Sequence, residues 1–101
     1  MRKKRSKIRN MEIKRYSILT ERMDQCYMCG RKKEHLHEIY FGNKHRLLSM
    51  KYGCVVPLCS TCHNLVHNNI DFDRNLKIQC QKKFQEIYDE KFIDIFKRNY
   101  L

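Results

Sequence analysis

Apolar residues are arranged differently in the two parts of this 101-residue chain. Before residue 60 they form short runs, and the runs at residues 36–41 and 54–58 predict strands because they are rich in β-forming residues. Residues 16–19 form a candidate third strand, and residues 44–52 suit an irregular loop or a short helix. From residue 72 to 88 apolar residues recur at helical spacing, and a further turn or two follows. The periodic positions are Leu76, Cys80, Phe84, Ile87, Tyr88, Phe92, Ile95 and Phe96.

Between these two parts lies a short segment rich in Cys and His. A helix that begins near Ser60 or Thr61 would place His63 and His67 at positions i and i+4, on one face. The pattern as a whole predicts a small α+β domain.

The chain is strongly basic, with Lys+Arg 22 against Asp+Glu 11, a formal net charge of +11 and a pI near 9.6. Residues 1–15 carry eight Lys or Arg and one Glu, a net +7, which predicts a flexible basic arm before a single domain at residues 16–101. The arm is either a solvated tail that aids solubility or a contact for the phosphate backbone of DNA, and we favour the second. The candidate DNA contacts are Arg2, Lys3, Lys4, Arg5, Lys7 and Arg9.

The longest apolar run, residues 54–59, is far too short for a membrane-spanning helix, which needs about 20 residues. No apolar run follows the basic N-terminus, so we expect no export signal and a reducing, cytoplasmic compartment. Paired cysteines in such a compartment usually bind metal or take part in catalysis.

The strongest motif is a pair of CxxC sequences, Cys26/Cys29 and Cys59/Cys62, with 29 residues between them. Four thiolates suit a tetrahedral zinc ion, which would stabilise a domain this small. The sequence therefore predicts a structural zinc site. Cys54 and Cys80 remain as buried small hydrophobic residues.

A second group of ligands is formed by His37, His63 and His67. Three imidazoles would hold a divalent ion and leave positions open for water and a phosphate, and an open position distinguishes a catalytic metal from a structural one. His35 and His45 are expected to have no ligand role. Imidazoles suit Mn²⁺, Co²⁺, Ni²⁺ or Zn²⁺ better than Mg²⁺, so the first three are expected to support activity at least as well as Mg²⁺.

This arrangement resembles the HNH (ββα-metal) endonucleases in the version stabilised by a four-cysteine zinc. Residues 36–39 (LHEI) correspond to the first strand of that family, 54–59 (CVVPLC) to the second and 59–67 (CSTCHNLVH) to the helix. From Cys26 to Leu101 the chain is also similar to a phage subgroup related to RecA-dependent nucleases of the recombination-enhancement type. The resemblance implies a ββα-metal core with C-terminal helices, DNA cleavage of low sequence specificity in recombination, repair or DNA processing, and a recombinase filament as a possible partner.

Two positions differ from the family pattern. Glu38 stands where the family has its general-base His, and Cys54 stands where it has an Asn that braces the loop between the strands. Glu38 is a replacement base, a metal ligand or the mark of an inactive site. The implied catalytic residues are therefore Glu38, His37 and His63. The alternatives to a nuclease are a non-catalytic zinc-binding nucleic-acid module on the same fold and, less in keeping with the charge, a zinc domain that binds other proteins.

Overall fold

A computed structural model describes residues 10, 11 and 13–101, and these form a small α+β fold with a two-stranded sheet and four helices. The elements, in chain order, are β1 (His35–Glu38), α1 (Asn43–Tyr52), β2 (Val55–Leu58), α2 (Ser60–Asn68), α3 (Ile70–Ile87) and α4 (Phe92–Phe96). The second strand and the helical segments expected near residue 60 and from residue 72 are confirmed. The first strand is present but ends at Glu38, three residues before the predicted end. The basic segment between the strands is a ten-residue helix.

The sheet is antiparallel, and its register sets His37 opposite Val56 and Glu38 opposite Val55. Successive side chains of a strand point to opposite faces. His35 and His37 therefore share one face of β1, whereas Glu38 belongs to the other. β2 is buried along its whole length, as its continuous apolar run suggests.

The expectation of a strand at residues 16–19 is wrong. The Ser17 hydroxyl accepts hydrogen bonds from the backbone N–H groups of Leu19 and Thr20, at 3.0 and 3.3 Å, and this local turn replaces extended pairing. One long-range bond remains, from the Ile18 N–H to the Gly53 carbonyl oxygen at 2.9 Å. Gly53 ends α1 with φ 74°, and a Cβ there would meet the ring of Tyr16, so both conformation and space require glycine.

The core lies between the sheet and the C-terminal helices. Tyr40, Phe84, Phe92 and Phe96 are fully buried, and the ring centroid of Phe96 lies 4.6 Å from that of Tyr40 and 4.7 Å from that of Phe92. The Tyr40 hydroxyl donates to the Lys77 carbonyl oxygen at 2.6 Å. α3 and α4 thus fix the chain that leaves β1. No helix within the described ranges is long and apolar enough to cross a membrane.

Candidate metal centres

The two CxxC pairs come together at one point. The sulfurs of Cys26, Cys29, Cys59 and Cys62 all lie within 4.8 Å of one another, and those of Cys29 and Cys59 are 3.6 Å apart. Four sulfurs bound to one zinc at about 2.3 Å in tetrahedral geometry would be separated by about 3.8 Å. The four cysteines could therefore hold a structural metal such as zinc.

Local backbone geometry explains why both pairs can contribute. Gly30, with φ 82°, closes the first knuckle, and its N–H donates to the Cys26 carbonyl oxygen at 2.9 Å. The second knuckle opens α2: Cys59 is the N-cap, and its sulfur accepts from the Cys62 N–H at 3.4 Å. The Tyr27 N–H donates to the Pro57 carbonyl oxygen at 2.7 Å, which joins the first knuckle to β2.

The environment of the sulfurs already favours negative charge at one of them. Burial raises the pKa of the Cys26 thiol, but backbone hydrogen bonds within the two knuckles outweigh it and bring the pKa to about 6. Burial and neighbouring thiols raise the pKa of Cys62. A bound cation would favour deprotonation of the remaining thiols.

The second group consists of His37 from β1 and His63 and His67 from α2, which each offer one nitrogen within 4.8 Å of the others. The Nε2 atoms of His63 and His67 are 3.0 Å apart, so both can reach one ion at about 2.1 Å. His37 is buried, His63 is half-buried and His67 is exposed. The group therefore has a closed side toward the sheet and an open side toward solvent.

The protonation state and the burial of His37 suit a metal ligand. Burial, followed by the charges of His63 and His67, lowers the pKa of His37 to about 4, so its ring is neutral at pH 7. Its Nε2 is buried and has no hydrogen-bond partner among the described residues. A buried nitrogen without a partner is costly, and a metal ion would satisfy it. Burial and His67 also lower the pKa of His63.

His35 lies closer to this group than the sequence analysis anticipated. Its ring stacks on that of His63 with centroids 4.4 Å apart, and its Nε2 lies 3.3 Å from the Ser60 hydroxyl. The alternation of β1 could have revealed this, because His35 and His37 are two residues apart. His45 lies outside the group, and its ring makes a T-shaped contact with that of Phe96.

Glu38 lies apart from the three imidazoles. Its Oε2 is 2.8 Å from Arg15 Nη1 and its Oε1 is 3.1 Å from Arg46 Nε, and its side chain is only 13% exposed. Arg15 also donates to the Leu36 carbonyl oxygen at 3.3 Å. The carboxylate thus links the start of the domain to β1 and α1. That Glu38 is a base or a metal ligand stays a prediction.

The side chain of Ser49 braces the chain that leaves β1. Ser49 on α1 is fully buried; its hydroxyl accepts from the Tyr40 N–H at 3.1 Å and donates to the Tyr40 carbonyl oxygen at 2.7 Å. Cys54 is buried as expected. Nothing in the sequence near Ser49 indicates this role, because it depends on how α1 packs over the end of β1.

The candidate DNA contacts in the arm lie outside the described residues. They are Arg2, Lys3, Lys4, Arg5, Lys7 and Arg9. Comparison of the chain with protein-family models, curated proteins and solved structures finds no match. Function is therefore inferred from the chemistry of the two ligand groups.

Proposed function

We propose that the protein is a metal-dependent DNA endonuclease of the HNH type, with a ββα-metal core, that hydrolyses phosphodiester bonds with low sequence specificity. The observation that carries this proposal is the convergence of His37, His63 and His67 at a partly open surface, beside four cysteines that could hold a structural zinc. The +11 net charge suits a polyanionic substrate.

The buried and the exposed histidines would have different roles at the ion site. His37, neutral and buried, fixes the inner side of the ion site, and His63 and His67 complete it on the side open to solvent. A divalent ion held there would supply Lewis-acid stabilisation of the phosphate and activation of water. The basic arm would hold the phosphate backbone and thereby bring the scissile bond to the site, with a recombinase filament as the partner that the family resemblance implies.

One observation favours a second candidate, a non-catalytic zinc-binding nucleic-acid module. The carboxylate of Glu38, at the family's general-base position, is engaged by Arg15 and Arg46 and turned away from the imidazoles. A carboxylate in two ion pairs is poorly placed to take a proton from water at the histidine group. This second candidate keeps the zinc and the DNA contacts and lacks the hydrolytic step.

Cleavage assays separate the two candidates. The purified protein is incubated with supercoiled and with single-stranded DNA in Mn²⁺, Co²⁺, Ni²⁺ or Mg²⁺, beside His63→Ala and the control His45→Ala, an imidazole outside the group. Metal-dependent nicking that is lost in His63→Ala and kept in His45→Ala supports the nuclease. DNA binding without cleavage in any of the four ions contradicts it and supports the module.

A further inference from the structure

A groove opens beside the exposed end of the three-histidine group. It encloses about 320 Å³ and is lined by Phe41, Val66, His67, Asn68, Ile70 and Asp73. We call it the Phe41 groove. Because His67 belongs both to the groove and to the ligand group, the groove and the candidate ion site adjoin each other.

Phe41 is a large apolar side chain that remains exposed to solvent. The residue remains 51% exposed, although a ring of this kind contributes most to stability when it is buried. Its ring centroid lies 6.3 Å from that of His37 and 6.4 Å from that of His67. The structure therefore presents an aromatic surface to solvent at the edge of the candidate metal centre.

A cation lies over that ring. The Lys77 ammonium lies 4.6 Å from the Phe41 ring centroid and 2.9 Å from the Asp73 carboxylate. The carboxylate at the rim of the groove is thus paired. An adjoining groove of about 250 Å³ shares Ile70 and Asp73 with the first and adds the cations Arg74 and Lys77. Two cations, one of them paired with Asp73, therefore lie on the side of the ring that is lined by no histidine.

An exposed ring between a candidate metal centre and the cations Arg74 and Lys77 suits one strand of nucleic acid. Aromatic side chains stack on unpaired bases of any sequence, while nearby Lys and Arg follow the phosphates. Bases inside a duplex are stacked and paired, so a ring in a groove reaches them only where the strand is open.

We propose that the Phe41 groove binds an unpaired base of the DNA strand whose phosphate lies at the three-histidine group. This inference rests on the proposed function for the position of that phosphate. It deepens that function by giving the site a preference for single-stranded or locally unpaired DNA, with no preference for a particular base.

The test measures binding without cleavage. Fluorescence anisotropy gives the affinity of the zinc-loaded protein, with no other divalent ion added, for a labelled deoxythymidine oligonucleotide and for a duplex of the same length. Phe41→Ala is compared with Phe41→Trp, which keeps a ring, and with Phe72→Ala, which removes a 38% exposed ring on α3 outside the groove. Phosphate contacts of the basic arm contribute to both substrates, so the ratio of the two affinities isolates the groove.

We expect Phe41→Ala to weaken single-strand binding by about 5- to 100-fold and duplex binding by less than about twofold, because one stacked base is lost. Phe41→Trp and Phe72→Ala should resemble the unmodified protein. The fluorescence of a 2-aminopurine placed in the oligonucleotide should be quenched by the protein and not by Phe41→Ala. If Phe41→Ala loses zinc, Phe41→Leu, which keeps apolar volume without a ring, takes its place.

Unchanged single-strand affinity in the ring-less variant, or equal losses for single strand and duplex, would overturn the groove assignment. The outcome is separable from that of the proposed function. A Phe41-dependent single-strand preference in a protein that never cleaves DNA supports the groove and contradicts only the nuclease. Cleavage that depends on His63 but is accompanied by single-strand binding independent of Phe41 contradicts only the groove.

Discussion

The four-cysteine group and the three-histidine group differ first in exposure. Three of the four cysteines are buried, whereas only one of the three histidines is. Four protein ligands close a tetrahedral site, while three imidazoles leave positions for water and substrate. Residues 59–67 contribute to both groups, with two cysteines in the more buried one and two histidines in the more open one.

The two groups are mechanically joined through α2. Cys59 caps this helix, Cys62 lies in its first turn, and His63 and His67 follow on the next turns. A metal held by the cysteines would fix the position and direction of α2 and, with them, the positions of two of the three imidazoles. Dependence should run mainly in one direction, from the cysteine group to the histidine group.

The largest expected effect is that of Cys59→Ser. Serine can still cap α2, so the variant removes one thiolate and keeps the cap. It should abolish zinc binding and, because a structural zinc contributes on the order of 10 kcal/mol to folding, the cooperative unfolding transition as well. Elemental analysis and thermal unfolding measure both. Cys54→Ser, a change at a buried cysteine outside the group, is the control and should keep about one zinc per chain. A folded, zinc-free Cys59→Ser protein would show that the two groups are independent.

His67→Ala should affect cleavage but leave the stability and the zinc content nearly unchanged. Because His67 is exposed, the melting temperature and the zinc content should change little. Metal-dependent cleavage should fall by about 1,000-fold, since the ion supplies several kcal/mol of transition-state stabilisation. A nicking assay measures the rate, with His45→Ala as the matched histidine control. A large loss of stability in His67→Ala, or full activity, would contradict the proposal that the cysteine group serves stability and the histidine group serves cleavage.

A smaller effect is expected on stability when the pH is lowered, through the buried candidate ligand His37. The pKa of His37 is about 4 in the folded chain, against about 6.5 when unfolded. Between these pH values the unfolded chain binds a proton that the folded chain does not, so the free energy of unfolding decreases as the pH falls through this window. From pH 7 to pH 5 the His37 contribution should decrease by about 2 kcal/mol.

Urea unfolding of the unmodified protein and of His37→Gln at pH 7 and pH 5 isolates this contribution. Protonation of the cysteine group affects both proteins and cancels in the difference between them. Equal pH dependence of the two proteins would show that His37 is more accessible to solvent than its burial indicates.

The sequence predicted which candidate ligands come together better than it predicted their surroundings. The CxxC spacings and the i, i+4 spacing of His63 and His67 are local, so they could be recognised without knowing the packing. The face on which His35 and Glu38 lie is also a local property, set by the alternation of β1. Glu38 is a predicted catalytic residue because it stands at the general-base position of the family motif, and its side chain and that of His37 belong to opposite faces of β1.

Other features could not have been predicted from local patterns. The hydrogen bonds of the Ser49 hydroxyl to the Tyr40 backbone require α1 to pack over the loop after β1. The pairing of Glu38 with Arg15 and Arg46 joins three segments that are separate in sequence. Residues 16–19 failed to form a strand because the Ser17 side chain provides a competing local turn. Each depends on tertiary contacts or side-chain hydrogen bonds that hydrophobic periodicity does not encode.

The smallest expected effect is that of Glu38→Gln, which tests whether Glu38 stabilises the fold or takes part in cleavage. If its carboxylate only joins Arg15 and Arg46, Glu38→Gln should lower the free energy of unfolding by about 1 kcal/mol, a partly buried ion pair being worth more than an exposed one. Glu86→Gln, in a 3.8 Å exposed pair with Lys83, is the control and should change stability by less.

Cleavage by Glu38→Gln should stay within about tenfold of the unmodified rate, since the removed charge lies off the histidine face. Unchanged stability with a loss of cleavage as large as that of His67→Ala would instead place Glu38 at the reacting atoms, and the chemistry would then extend to both faces of β1.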